Sequence, residues 1–283
     1  MKKVLVFAKN YEKYNSGYYH QDIVDALATN TEMIIYGPGY PGYEKDDSLY
    51  EVLQKKQLTE AQIDLIVFVT SWDEDGSTDT VDPHPKIDVS SSKCVKIYFL
   101  NKEYKKLEQR FDYIRRQKID LVVTVHPQAT EWQRNLGVRF LQLPFGISLS
   151  RFRDRGLKRK YDFAFTGGLH ATHNDLRYSV KKRLFKTQFH HIKSNKGFSG
   201  FFKKAICEEY SRLNIYWAEW GARSLVGKSL LPSGEKYSEF MNSCKVFLNT
   251  PSALGIFNTR FFELMSTRTL ILCPEDEPNG RAD

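Results

Sequence analysis

The sequence predicts an α/β protein of two Rossmann-like domains that face a cleft. Three observations carry this expectation. Short, continuous apolar runs alternate with amphipathic segments from the first residues to about residue 150, the alternation restarts at Tyr161, and a basic stretch without apolar periodicity separates the two. Continuous apolar strands separated by helices indicate parallel sheets covered on both faces. At 283 residues the chain is long enough for two such cores.

In chain order, Lys3-Val4-Leu5-Val6-Phe7 is rich in β-branched and aromatic residues and predicts a buried strand. Residues 21–27 have helical spacing. Met33-Ile34-Ile35-Tyr36 predicts a second strand, stopped by the turn cluster Gly37-Pro38-Gly39-Tyr40-Pro41-Gly42. There follow a helix over 48–55, strands over 65–69 and 95–99, a helix over 105–117, a strand over 121–125, a short helix near Glu131 and a strand over 139–143. The first domain is therefore set at residues 1–150. The stretch 151–160 carries six basic residues against one acid and is expected to be the interdomain linker. In the second domain, 161–283, a strand over 161–165 runs into Thr166-Gly167-Gly168 and a helix over 175–185. Strand 214–217, helix 235–242, strand 246–249, helix 260–266 and strand 269–272 complete the pattern. Open α/β sheets bind ligands at the carboxyl ends of their strands, which places a cleft between the two domains.

Composition narrows the function classes. The balance of 41% hydrophobic and 27% charged residues is that of a globular protein, and no apolar run is long enough for a membrane-spanning helix. The apolar start at Val4–Ala8 is followed directly by Lys9, Asn10 and Tyr11, so it is read as a strand rather than a signal peptide. Cys94, Cys207, Cys244 and Cys273 form no paired motif, which signals no metal site and fits a cytoplasmic setting. The net charge of +8 leaves two readings open: an anionic partner (nucleic acid, lipid surface or phosphorylated ligand) or an ordinary basic surface.

Two segments concentrate candidate chemistry. Gly167 and Gly168 stand between a strand and a helix, where glycine lets the backbone approach a phosphate. The alternative is a simple tight turn. The full dinucleotide fingerprint is missing, which argues against a nicotinamide or flavin cofactor. In the segment 251–266, Asn258 and Arg260 sit at the start of a helix, where a diphosphate would meet both a dipole and a guanidinium. Glu263, one turn on, either accepts hydrogen bonds from ribose hydroxyls or is an exposed acid paired with Arg260. For a catalytic base, His126 follows a strand at the cleft end of the first sheet, Asp73 lies after the strand 65–69, and His170 is a third candidate that could instead touch phosphate. Each has the alternative role of a loop anchor.

The segment Pro251-Ser252-Ala253-Leu254-Gly255-Ile256-Phe257-Asn258-Thr259-Arg260-Phe261-Phe262-Glu263-Leu264-Met265-Ser266 resembles the nucleotide-binding signature of group-1 GT-B glycosyltransferases. Pro251, Ser252, Phe257, Glu263 and Met265 match that signature, while the first glutamate of the family's pair falls on Gly255. The Asn258-x-Arg260-x-Phe262-Glu263 variant is similar to the divergent spore-maturation-type (CgeB-like) branch. So are Leu143-Pro144-Phe145-Gly146-Ile147, the run from Tyr161 to Gly167, and the run from Tyr237 to Asn249. The similarity covers roughly residues 121–272.

The resemblance implies transfer of a sugar from a nucleoside-diphosphate donor to a glycan, lipid-linked or protein acceptor. Gly167 and Gly168 would approach the diphosphate or acceptor, Glu263 would bind the ribose, and the loop from Asn249 through Ser252 to Arg260 would surround the donor. The donor is then a substrate, with no cofactor and no metal expected, since helix dipole and basic side chains stabilise the departing diphosphate. Asp73-Glu74-Asp75 is read as a solvated acidic loop rather than a metal-binding one. GT-B C-terminal domains continue past the last strand found here, so a truncated, fragmentary or minimal second domain is expected. Between Arg177 and Lys204 lie nine Lys or Arg residues, interleaved with Phe185, Phe189, Phe198, Phe201 and Phe202. That stretch suits contact with an anionic membrane or with nucleic acid, or forms a helix–loop–helix with a solvated basic face. Two other classes stay open: an inactive scaffold that binds a sugar nucleotide or partner, for which Gly255 speaks, and a nucleic-acid-binding protein.

Overall fold

Strand β1 (Lys3–Phe7) shows why the first half folds as it does. Val4, Leu5, Val6 and Phe7 are all buried, with side chains alternating between two cores. Leu5 and Phe7 join a large cluster with Tyr36, Ile66, Phe68, Tyr98, Tyr113, Ile114 and Trp132, whereas Val4 and Val6 join Ala8, Val24, Val67 and Val69. A strand covered on both faces reads as an unbroken apolar run. The computed structural model describes residues 1–10, 18–69, 87–101, 103, 106–168, 175–192, 199–220, 234–251 and 256–274. It divides into two units, Met1–Ser148 and Leu149–Asp283.

In the first unit β1 is followed by α1 (Tyr18–Asn30), β2 (Glu32–Tyr36), α2 (Leu49–Lys55), β3 (Leu65–Val69), β4 (Val95–Phe99), α3 (Leu107–Arg116), β5 (Leu121–Thr124), α4 (Ala129–Leu136) and β6 (Arg139–Gln142). The six strands form one parallel sheet in the order β2-β1-β3-β4-β5-β6, a doubly wound topology. Local chemistry sets the boundaries. Ser48 caps α2 in a reciprocal capping box with Glu51, and Gly137 ends α4 in the left-handed conformation. Tyr36, at the end of β2, is buried with its hydroxyl on Asp47, which Lys55 holds at 2.6 Å. Burial, then the Asp47 hydrogen bond, pushes the Tyr36 hydroxyl up to about 12.

The second unit has β7 (Tyr161–Gly168), α5 (Asp175–Leu184), β8 (Phe185–Ile192), β9 (Ser199–Ile206), β10 (Ile215–Trp220), α6 (Glu235–Asn242), β11 (Cys244–Leu248), α7 (Thr259–Ser266) and β12 (Leu270–Leu272). Four strands form a parallel sheet in the order β10-β7-β11-β12, and β8 with β9 forms a separate antiparallel pair. The fold class expected from the sequence, α/β with two Rossmann-like units, is the one observed.

Two local expectations are corrected. The stretch 177–204 is not a helix–loop–helix: among its described residues only the start is helical, and Phe185-Lys186-Thr187-Gln188-Phe189 alternates with the period of a strand and pairs with β9. Gly167 and Gly168 are not in a loop but continue β7, paired in register with Glu219 and Trp220 of β10. Residues 151–160, the expected linker, pack on the second unit. Phe152 is fully buried, and the Arg155 N–H donates to Asn242 Oδ1 at 2.8 Å while its guanidinium meets Glu235 at 2.9 Å. The Arg159 guanidinium donates to the carbonyls of Met241, Cys244, Thr267 and Arg268 and to Thr269 Oγ1. It thereby caps the C-terminal ends of α6 and α7 together, where carbonyls have no intrahelical partner.

Candidate functional site

The second sheet reverses direction beside β7. From β7 the chain goes first to β10 on one side, then crosses back to β11 on the other. The carboxyl ends of β7 and β11 therefore flank a topological switch point, the place where crossover helices part and leave a crevice. Two polar pairs end these strands: Thr166-Gly167 in β7 and Asn249-Thr250 after β11. All four are nearly inaccessible, and Asn249 is 1% exposed.

Two arginines from different helices converge here. Arg260, in the first turn of α7, donates from Nη1 to the Thr166 carbonyl at 2.5 Å. Arg177, in α5, donates from Nε to Thr250 Oγ1 at 2.8 Å. A Cβ placed on Gly167 would lie 3.4 Å from Arg260 Nη1 and 3.6 Å from Arg177 Nη1. The backbone at Gly167 has φ +152°, which L side chains rarely adopt, so glycine fits the strand end at this point, with both guanidiniums at contact distance from where a Cβ would stand. Rings support them: Arg177 lies 5.5 Å from the Phe165 centroid, and Arg260 lies 5.8 Å from Tyr237 and 5.9 Å from Phe247.

The start of α7 is fixed by Asn258. Its Oδ1 accepts from the Arg260 N–H at 3.1 Å as an N-cap and from Asn249 Nδ2 at 3.3 Å, while its Nδ2 donates to the Thr250 carbonyl at 2.8 Å. Tyr237 of α6 shares a 2.8 Å hydrogen bond with Thr166 Oγ1. Burial raises the pKa of the Tyr237 hydroxyl; the Arg260 charge opposes this and the Glu263 charge adds to it. Glu263 is 1% exposed. It is thus not the solvated helix acid that a surface pair with Arg260 would require.

The electrostatics favour an anion. Arg177 is lowered to about 10, first by burial and then by repulsion from Arg260. A ligand carrying negative charge beside the buried Arg177 and the half-buried Arg260 would offset that repulsion. Arginine's rigid fork suits phosphate oxygens in particular. The α7 N-terminus adds backbone N–H groups and a positive dipole end at the same place.

In the first unit, His126 follows β5 and is buried, stacked on Trp132 with centroids 4.5 Å apart. Its Nδ1 accepts from the Gln128 N–H at 3.2 Å, which puts the proton of the neutral ring on Nε2. In that tautomer Nε2 is a donor, so a proton acceptor's role requires the tautomer to change. Burial lowers the His126 pKa, with Glu103 opposing; Glu103 accepts from Thr124 Oγ1 at 2.6 Å.

Of the residues singled out from sequence, the structure brings Asn249, Asn258 and Arg260 together in one hydrogen-bonded cluster, with Gly167 beside the Arg260 guanidinium, Glu263 buried one turn along α7 and Gly168 next in β7. His126 belongs to the other unit. Asp73, His170 and Ser252 lie outside the described residues. Sequence reasoning missed Arg177, Thr250, Tyr237 and Thr166. Arg177 was counted within a basic stretch, and its separation from the other basic residues of that stretch by three uncharged positions was the one available signal.

No protein-family model matches the chain, and no curated protein matches its sequence. Among solved structures it is similar to two crystal structures of the Anabaena protein Alr3699/HepE. The complex with UDP and glucose gives a TM-score of 0.53 at 11% identity, and the complex with UDP-glucose 0.51 at 10%. Each alignment covers 96% of this chain and 80% of that one. At such identity the likeness is one of fold.

Proposed function

We propose that this protein is a glycosyltransferase that takes its sugar from a nucleoside diphosphate, with UDP the first nucleotide to test, and that its second unit holds the donor. The observation that carries the reading is the convergence of Arg177 and Arg260 on Gly167 at the switch point of the second sheet. A diphosphate placed there meets two guanidiniums and a helix N-terminus. These groups stabilise the charge that develops on the leaving diphosphate as the glycosidic bond breaks, without a metal in the step. Glu263 would take the ribose hydroxyls, and Asn249 and Asn258 would order the donor loop. The ligands of Alr3699/HepE support the choice of UDP. Membership of the spore-maturation-type branch and a cytoplasmic setting belong to the same proposal, and the acceptor is a glycan, a lipid-linked sugar or a protein.

Titration calorimetry of the full chain with UDP, GDP and ADP, followed by UDP-glucose turnover, tests this. UDP is expected to bind, and Arg260→Met to weaken it about ten- to hundredfold through loss of a charge-assisted contact. Binding without turnover, with any acceptor class, selects the inactive-scaffold reading. Failure of every nucleoside diphosphate to bind, or equal affinity in Arg260→Met, removes the proposal.

A further inference from the structure

Within 177–206, Arg177 joins the donor cluster, and Leu184 and Phe185 are buried, with Phe185 edge-on to Trp217 of β10; the rest of the stretch adds no strand to the four-stranded sheet. One crossover helix suffices to carry a chain between neighbouring parallel strands. Here the crossover from β7 to β10 holds α5 and then an additional hairpin, β8–β9, which pairs with itself and joins neither edge of the four-stranded sheet. A two-stranded hairpin alone is marginal in water.

Its chemistry is one-sided. The described residues of α5, β8 and β9 comprise five lysines, two arginines, two histidines and four phenylalanines against a single acid, Asp175 at the start of α5. The register sets Phe189 opposite Phe202 and Phe185 opposite Ile206. On α5, Leu176 and Tyr178 are exposed, Lys182 and Arg183 are exposed beside them, and Lys181 and Lys182 hold their ammonium groups 5.8 and 5.6 Å from the Tyr178 ring centroid.

From this we infer that α5 and the β8–β9 hairpin form a docking surface for an anionic lipid bilayer. The occupant is argued from charge and from the kind of apolar residue. A run rich in cations, with Asp175 its one acid among the described residues, is complementary to an anionic leaflet, whose field attracts each basic side chain near the surface. Phenylalanine is an apolar ring with no polar tip, suited to the boundary between headgroups and acyl chains. Lysine supplies most of the charge, which fits a diffuse anionic surface; recognition of single phosphates or bases draws on arginine forks. Of the two arginines, Arg177 is turned inward onto Thr250. The inference stands apart from the donor reading, because Arg177 is the one α5 residue placed in the donor cluster and the docking argument does not use it.

Co-sedimentation of the full chain with vesicles tests it, using phosphatidylcholine alone and phosphatidylcholine mixed with phosphatidylglycerol, beside a single-stranded RNA oligonucleotide at the same ionic strength. The chain is expected to partition onto the mixed vesicles and not onto phosphatidylcholine. Raising salt from about 0.1 M to about 0.5 M should release it as the charges are screened. Lys182→Glu with Arg183→Glu, both exposed, should lower partitioning about tenfold with an unchanged melting temperature. Tyr178→Ser should weaken it further. Absence of partitioning, equal partitioning onto the neutral vesicles, insensitivity to the double charge reversal, or tighter binding to the RNA than to the anionic vesicles overturns the inference.

Discussion

Gly37 in the first unit and Gly167 in the second have nearly the same backbone, φ +153° and +152°, and each stands at the carboxyl end of a parallel strand. What a side chain would meet differs. At Gly37 a Cβ would lie 1.9 Å from the Ala8 carbonyl oxygen, backbone clamped by the hydrogen bonds from Ala8 N–H to Tyr36 O and from Asn10 N–H to Pro38 O. At Gly167 the neighbours are the tips of two arginines and the edge of Phe165, none nearer than 3.4 Å. The same conformation serves folding in one unit, where rigid backbone is the neighbour, and a site in the other, where the neighbours are side-chain ends that can give way.

The largest effect expected is at Gly37. Gly37→Ala must move the backbone where β1 and β2 end, and should cost about 3–4 kcal/mol by chemical denaturation. Next comes Glu263→Gln, which keeps shape and removes charge-assisted acceptance. UDP affinity measured by calorimetry should fall about ten- to hundredfold, equivalent to about 1.5–3 kcal/mol. Unchanged affinity with a lowered melting temperature would reassign Glu263 to packing. Gly167→Ala should be milder for folding, about 1–2 kcal/mol from the strained φ, and should lower UDP affinity several-fold by setting a methyl group against the two guanidiniums. A stability loss at Gly167 equal to that at Gly37, with UDP affinity intact, would break the comparison.

The smallest effect is a pH dependence of the first unit. Burial holds the His126 pKa below its ordinary value of about 6.5. The unfolded chain then binds its proton at a higher pH than the folded one, so this contribution is complete above about pH 6.5 and is lost as pH falls toward the lowered folded value. His126→Phe, which retains the stack on Trp132, should flatten melting temperature against pH in that range.

Much of the fold was legible because it rests on local pattern. Strands β1, β3 and β4 fall where apolar, β-branched runs predict them, since a strand covered on both faces needs no partner to announce it. Helix α6 likewise begins and ends where its spacing predicts. The hairpin β8–β9 was not legible, because its lysine-rich residues are compatible with a basic helix and only cross-strand pairing decides between the two. In the candidate site, Asn258 and Arg260 stood out because capping is a local event, whereas Arg177 lies 83 positions from Arg260 by their numbers and looked like one more surface cation.

By itself, then, the sequence determined the alternation of strands and helices, the place where that alternation restarts, and the cap that starts α7. These depend on residues within a few positions of one another. Only the tertiary structure decided which charges are buried. It turned Arg159 from a linker cation into a cap on two helices, took Glu263 out of solvent, and set Arg177 beside Arg260. The reason is physical: the cost of desolvating a charge depends on every neighbour it acquires, and those neighbours come from strands and helices that the fold alone brings together.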